Sequence, residues 1–141
     1  MDTVAIVMTA PQAMVLRRLE LTPPGESDVV VEVDWSSIST GTERLLWTGR
    51  MPPFPGMGYP LVPGYEAVGR VVSAGTNSGR SDGDTVFVPG ARCFGRLDGV
   101  EVRGLFGGAA KRLVVPGARI TRIEPTLGER GTLMALAATA W

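Results

Sequence analysis

Thirty of the 141 residues are glycine or proline. A chain interrupted this often cannot sustain long regular elements, because proline removes a backbone donor and glycine leaves the backbone loose. Yet 44% of the residues are hydrophobic, too many for a disordered chain. The composition is that of a folded, turn-rich domain of short elements, and 141 residues suit one such domain, able to bury on the order of 70% of its unfolded surface.

The interruptions are densest from Met51 to Pro63, where prolines stand at 52, 53, 55, 60 and 63 among Gly56, Gly58, Phe54 and Tyr59. Such a stretch resists both helix and central strand, and is expected to be an ordered loop or lid. On either side of it the pattern is that of strands. Thr3 to Thr9 is rich in β-branched and apolar residues and stops before Pro11, with Met14 to Leu21 as its partner. Alternation over Val29 to Ser36 puts Val29, Val31, Val33 and Trp35 on one face, which makes Trp35 an expected core residue. Further strands are expected at Ala67 to Ala74, Thr85 to Val88, Lys111 to Val115 and Arg119 to Ile123, with an Asp98-Gly99 turn between short strands. Thr40 and Glu43 have the spacing of a capping box, which predicts a short helix starting at Thr40 and ending near Gly49. Many short strands at close spacing indicate a small barrel. From Thr132 to Trp141 the composition turns to Leu, Met and Ala, a helix that the end of the chain interrupts, as in a piece of a longer protein.

Several function classes are excluded by composition. Fourteen basic residues balance fourteen acidic ones, so the footprint of a nucleic-acid binder is missing. There is no histidine and one cysteine, Cys93, which rules out His general bases, Cys/His zinc sites and intrachain disulfides. Apolar runs such as Val29 to Val31 are far too short to span a membrane, and no basic region precedes the first strand, so a cytoplasmic protein is expected. The glycines of Gly104-Leu105-Phe106-Gly107-Gly108 and Gly128-Glu129-Arg130-Gly131 lack the G-x-G-x-x-G order of a dinucleotide site.

Five landmarks occur in a definite order: Thr40-Gly41-Thr42-Glu43, Val62-Pro63-Gly64-Tyr65-Glu66-Ala67-Val68-Gly69-Arg70-Val71-Val72, Gly83-Asp84-Thr85-Val86, Gly107-Gly108-Ala109-Ala110 and Ala138-Thr139-Ala140-Trp141. In this series the chain resembles the medium-chain dehydrogenase/reductase family over nearly its whole length. The resemblance implies a mainly β, GroES-like, partly open barrel with short helices, spanning residues 1–141 as the substrate domain, with a Rossmann NAD-binding domain expected after Trp141. The stretch from Ser39 through Gly49-Arg50-Met51 to Glu66 is similar to one branch of that family. That branch oxidises the 3-(1-hydroxyethyl) side chain of a chlorophyllide or bacteriochlorophyllide to 3-acetyl, which implies a tetrapyrrole substrate and NAD as cofactor. Zinc-dependent members carry Cys where this chain has Thr40 and His where it has Tyr65, and the four-cysteine structural lobe is missing, so the resemblance implies a reaction without zinc. The hydroxyl proton must then leave through side chains.

The candidates follow from these matches. Thr42 stands where relatives relay the alcohol proton; its competing role is to bond the backbone of a first helical turn. Tyr65 can exchange a hydrogen bond with the substrate oxygen or pack against the ring; as a base it needs a nearby cation, for which Arg44 is a source. Glu66 can act as base if buried, while its match in the family supports the reacting groups from behind. Glu43 is read as the second half of the capping box. For the substrate, Thr40, Trp47, Met51, Phe54, Met57 and Tyr59 offer flat aromatics and adaptable methionines to a conjugated macrocycle, or else close the barrel mouth. Arg50 can pair with a propionate, or simply be solvated. Cys93 is read as a small buried apolar residue, and Gly64 and Gly69 as points of close backbone approach. Two other functions fit the same residues: a zinc-independent quinone or enoyl reductase, and a non-catalytic binding barrel.

Overall fold

The computed structural model describes residues 1–104 and 106–140. Leu105, in the first of the two glycine clusters, and Trp141, which completes the last landmark, lie outside the described residues. The chain opens with a hairpin of β1 (Asp2–Ala10) and β2 (Ala13–Glu20), paired antiparallel from Asp2↔Glu20 to Ala10↔Ala13. After β3 (Asp28–Ser36) comes the short helix α1 (Thr42–Thr48), then the proline-rich stretch, then β4 (Ala67–Ala74) and β5 (Thr85–Val88). A two-residue hairpin, β6 (Arg96–Leu97) and β7 (Val100–Glu101), turns at Asp98 and Gly99, both at positive φ as the Asp-Gly signal requires. Next are β8 (Arg112–Pro116), a 3₁₀ turn at Gly117–Arg119 and β9 (Thr121–Arg122). A kinked 3₁₀ segment, Pro125–Leu133, leads into α2 (Met134–Thr139). No helix among the described residues is long and apolar enough to cross a membrane.

The main sheet has the order β8-β3-β4-β5-β9, with every neighbouring pair antiparallel. The β1-β2 hairpin folds over it through isolated bridges, Ala5↔Ala110, Met8↔Leu61 and Leu21↔Phe94, so the strands curl toward a barrel without closing one. The core between these layers is Val-rich: Val7, Leu19, Val29, Val31, Val71, Val86, Leu113 and Val115 are all buried. Cys93 is buried in the same core, and burial pushes its thiol up to about 11, as for an inert apolar residue.

Three expectations need correction. Trp35 is 48% exposed, not a core residue. The register of β3 on β4 shifts between Val33 and Trp35, and pairing with β8 ends at Glu32, so the bulge turns the strand after Val33 and leaves Trp35 uncovered among the described residues. Conversely Val30, on the supposed polar face, is buried, because β3 is central and covered on both sides. Finally, Arg119 to Ile123 is a strand only at Thr121–Arg122, its first residues being taken by the 3₁₀ turn.

Candidate active site

α1 starts at Thr42, two residues later than the capping box predicts, and no side chain caps it from Gly41. Instead the Thr42 N–H donates to the Ser39 Oγ at 3.3 Å, and the Glu43 N–H to the Ser39 carbonyl at 3.1 Å. The helix ends at Gly49 in the left-handed conformation, where a Cβ would also meet the Pro11 ring at 2.7 Å. Leu46, fully buried against Met8 and Leu61, anchors the helix to the hairpin and to the end of the proline-rich stretch. On the other side Gly64, at φ +95°, lets the chain pass within van der Waals distance of Ala109, and Tyr65 follows immediately.

These two anchors bring the matched hydroxyls together. Thr42 Oγ1 and the Tyr65 hydroxyl lie 3.3 Å apart, and either can donate to the other. Tyr65 is held from its opposite side by Phe106, with ring centroids 5.6 Å apart and planes tilted by 50°. Glu66, 6% exposed, accepts a hydrogen bond from the Ser37 hydroxyl, so it is tied into the wall behind the pair.

Glu43 does not cap the helix. Its carboxylate is 6% exposed and neither oxygen has a hydrogen-bond partner. Burial pushes its pKa up, backbone N–H groups of Glu43, Ser39 and Gly64 counter part of that, and the nearby Glu66 charge adds to it. The folded state therefore favours the protonated acid, and stability falls as pH rises from the usual carboxylate range through the raised value. Glu43→Met should stabilise the domain by about 1–2 kcal/mol at pH 8 and by less at pH 4, read from urea unfolding; a gain equal at both pH values would show that the charge is not the cause.

An open hollow of about 890 Å³ lies beside α1, lined by Ile6, Met8, Met14 and Leu16 of the hairpin, by the stretch from Ser36 to Thr40, and by Glu43, Arg44 and Trp47. Of the predicted substrate residues, Thr40 and Trp47 line it. Met51, Met57 and Tyr59, with Trp47 and Phe106, pack onto the cluster of Met8, Leu46 and Leu61. The Tyr59 hydroxyl donates to the Leu46 carbonyl, and burial pushes its pKa up. Phe54 is half-buried and Arg50 exposed just after α1, and neither lines this hollow. Sequence reasoning missed Phe106, which sits in a Gly-rich stretch without any periodicity. It also misread Glu43, whose signal was its place directly after Thr42.

The model of the alcohol dehydrogenase GroES-like domain family matches residues 25–125. The chain belongs to that family. Within it, this GroES-like domain is 55% identical, over 99% of its length, to a 2-desacetyl-2-hydroxyethyl bacteriochlorophyllide A dehydrogenase of Cereibacter sphaeroides, of which it covers 44%. It is equally similar to the protein of that name from Rhodobacter capsulatus, covering 43% of it. The domain thus spans less than half the length of these curated relatives. Among solved structures it resembles a dehydrogenase of Sinorhizobium meliloti, described as zinc-binding and bound to NADP, at 25% identity and a TM-score of 0.68 over 94% of this chain and 42% of that one. An oxidoreductase from Mycobacterium abscessus matches at 26% identity and a TM-score of 0.71, over 96% of this chain and 40% of that one. The GroES-like fold and the medium-chain dehydrogenase relationship expected from the landmarks are therefore shown.

Proposed function

We propose that this domain binds and deprotonates the hydroxyl-bearing substrate of an NAD-dependent alcohol dehydrogenase that works without zinc, and that the substrate is a chlorophyllide or bacteriochlorophyllide whose 3-(1-hydroxyethyl) group becomes 3-acetyl. The observation that carries the reading is the Thr42–Tyr65 hydroxyl pair at 3.3 Å, with Thr42 where relatives relay the alcohol proton and Tyr65 where zinc-dependent members carry His. The substrate follows from the names of the two relatives at 55% identity.

Oxidising a secondary alcohol removes a hydride from carbon and a proton from oxygen. Two hydrogen-bonded hydroxyls suit the proton: the substrate oxygen gives its proton to one, that one passes its own to the other, and the second releases its original proton to solvent, so no net charge is left on the protein. Because either hydroxyl can be the donor, the same pair serves the reverse reaction. Glu66 supports the pair through its place next to Tyr65 and its bond to Ser37, a positioning role. Zinc does not suit this donor set. Hydroxyls stand at 40 and 65 where thiolate and imidazole would be needed, and among the described residues no three of His, Cys, Asp or Glu come together. A dinucleotide does not suit these residues either, since the named strands pair antiparallel and, among the described residues, no glycine turn joins a parallel strand to a helix. The residues of this domain thus account for the hydroxyl and its proton, and NAD is assigned to the rest of the enzyme.

The test is a titration of the 141-residue chain with a 3-(1-hydroxyethyl) chlorin, followed by pigment absorbance and Trp fluorescence, beside a simple quinone. Saturable 1:1 binding of the chlorin alone is expected. Binding of the quinone and not the chlorin would replace this reading with a quinone or enoyl reductase.

A further inference from the structure

The four ion pairs among the described residues use Arg18, Arg70, Arg112 and Arg122. Arg92 and Arg103 take part in none of them, and both line one small polar hollow of about 150 Å³ together with Glu101 and the backbone of Gly56 and Gly104. Arg103 is more than a surface cation here, because its backbone is fastened on both sides: its N–H donates to the Pro60 carbonyl at 2.9 Å and its carbonyl accepts from the Val62 N–H at 2.9 Å. Its side chain lies across Gly58, so closely that a Cβ there would stand 2.7 Å from Nε. The glycine leaves room for a guanidinium held at a fixed place beside the proline-rich stretch.

That place has a definite relation to the hydroxyl pair. Arg103 shares a second, smaller hollow with Met57 and Phe106. Phe106 in turn packs on Tyr65, whose hydroxyl meets Thr42. Thr42, Tyr65, Phe106 and Arg103 thus follow one another as a chain of neighbours that ends at the two guanidiniums. Resting on the function proposed above, we propose that Arg103, with Arg92 beside it, receives the ionised propionate of the macrocycle while its hydroxyethyl group faces Thr42 and Tyr65. A chlorophyllide is a flat apolar ring with the reacting alcohol on one edge and a carboxylate on another, and a guanidinium fork matches a carboxylate in geometry and charge. Glu101 opposes the anion, so the hollow keeps a net positive charge of one.

The proposal gives Arg103 a task that an esterified pigment would not use. In a titration of the 141-residue chain with a 3-(1-hydroxyethyl) chlorin as the free acid and as its methyl ester, the acid is expected to bind about tenfold more tightly at low salt. Arg103→Gln should abolish that preference with affinity for the ester unchanged, Arg92→Gln should reduce it, and Glu101→Gln should widen it. Saturable binding of acid and ester with equal affinity would overturn the carboxylate site and leave the pigment reading standing. A preference that survives both arginine substitutions would do the same. Failure of both ligands to bind would remove the pigment reading and this site with it.

Discussion

Thr42→Val and Tyr65→Phe should each lower turnover of a hydroxyethyl chlorin by about a hundredfold or more, with substrate affinity little changed. The assay needs the hydride acceptor's domain, so the variants are read in a chimera carrying residues 1–141 in place of the matched part of the Cereibacter sphaeroides relative. Each substitution removes one hydroxyl and keeps the shape: Val is isosteric with Thr, and Phe keeps the Tyr65 ring against Phe106. Thermal unfolding of the isolated domain should therefore hardly move, which separates lost chemistry from lost structure. The pair at 3.3 Å is treated as one relay, so the double variant should be scarcely worse than either single one. Additive losses would mean two independent roles. Wild-type turnover in both single variants would falsify the relay.

Three of the landmarks that carried the family have a backbone reason visible in residue type, since Gly64, Gly83 and Gly107 all stand at positive φ. Richness in β-branched and apolar residues placed β1 and β4, and alternation placed β3. Alternation failed at Trp35, where an extra residue in β3 makes a bulge that reverses the faces, and period-2 reasoning has no means of seeing a bulge. Spacing likewise suggested that Glu43 caps α1. Capping is a contest among nearby acceptors, and Ser39 holds the Thr42 N–H instead, which leaves Glu43 turned inward with no partner. Of the site itself, the sequence held the two hydroxyls because family motifs mark them. Phe106 and Arg103 reach the same neighbourhood through long-range packing, Arg103 by its bonds to Pro60 and Val62, and no local pattern encodes that.

The largest effect on stability is expected at Gly69. It lies in β4 between two partners, opposite Val33 on β3 and Val86 on β5. Its φ is ordinary, so the difficulty of a side chain there is one of space. A Cβ would overlap the Glu32 carbonyl oxygen and stand 2.8 Å from the Glu32 carbonyl carbon and 2.9 Å from Val31 Cγ1. Backbone cannot step aside as a flexible side chain can, so Gly69→Ala must push β3 and β4 apart, at a cost of about 3 kcal/mol and a fall in Tm of roughly 10 °C. The disturbance also reaches the site, since β3 is followed by Ser37 and β4 is preceded by Tyr65 and Glu66, and Ser37 and Glu66 are bonded to each other. Gly41→Ala is the control: open space surrounds that position and its φ of −83° suits alanine, so its Tm should stay within a degree or two. If the two substitutions proved equally mild, the close approach of β3 and β4 would not constrain position 69. A steep loss at Gly69 alone would tie the glycine of the Ala67-Val68-Gly69 landmark to the fit of two strands, a requirement of the fold that stands apart from the proton relay proposed for Tyr65, four residues earlier.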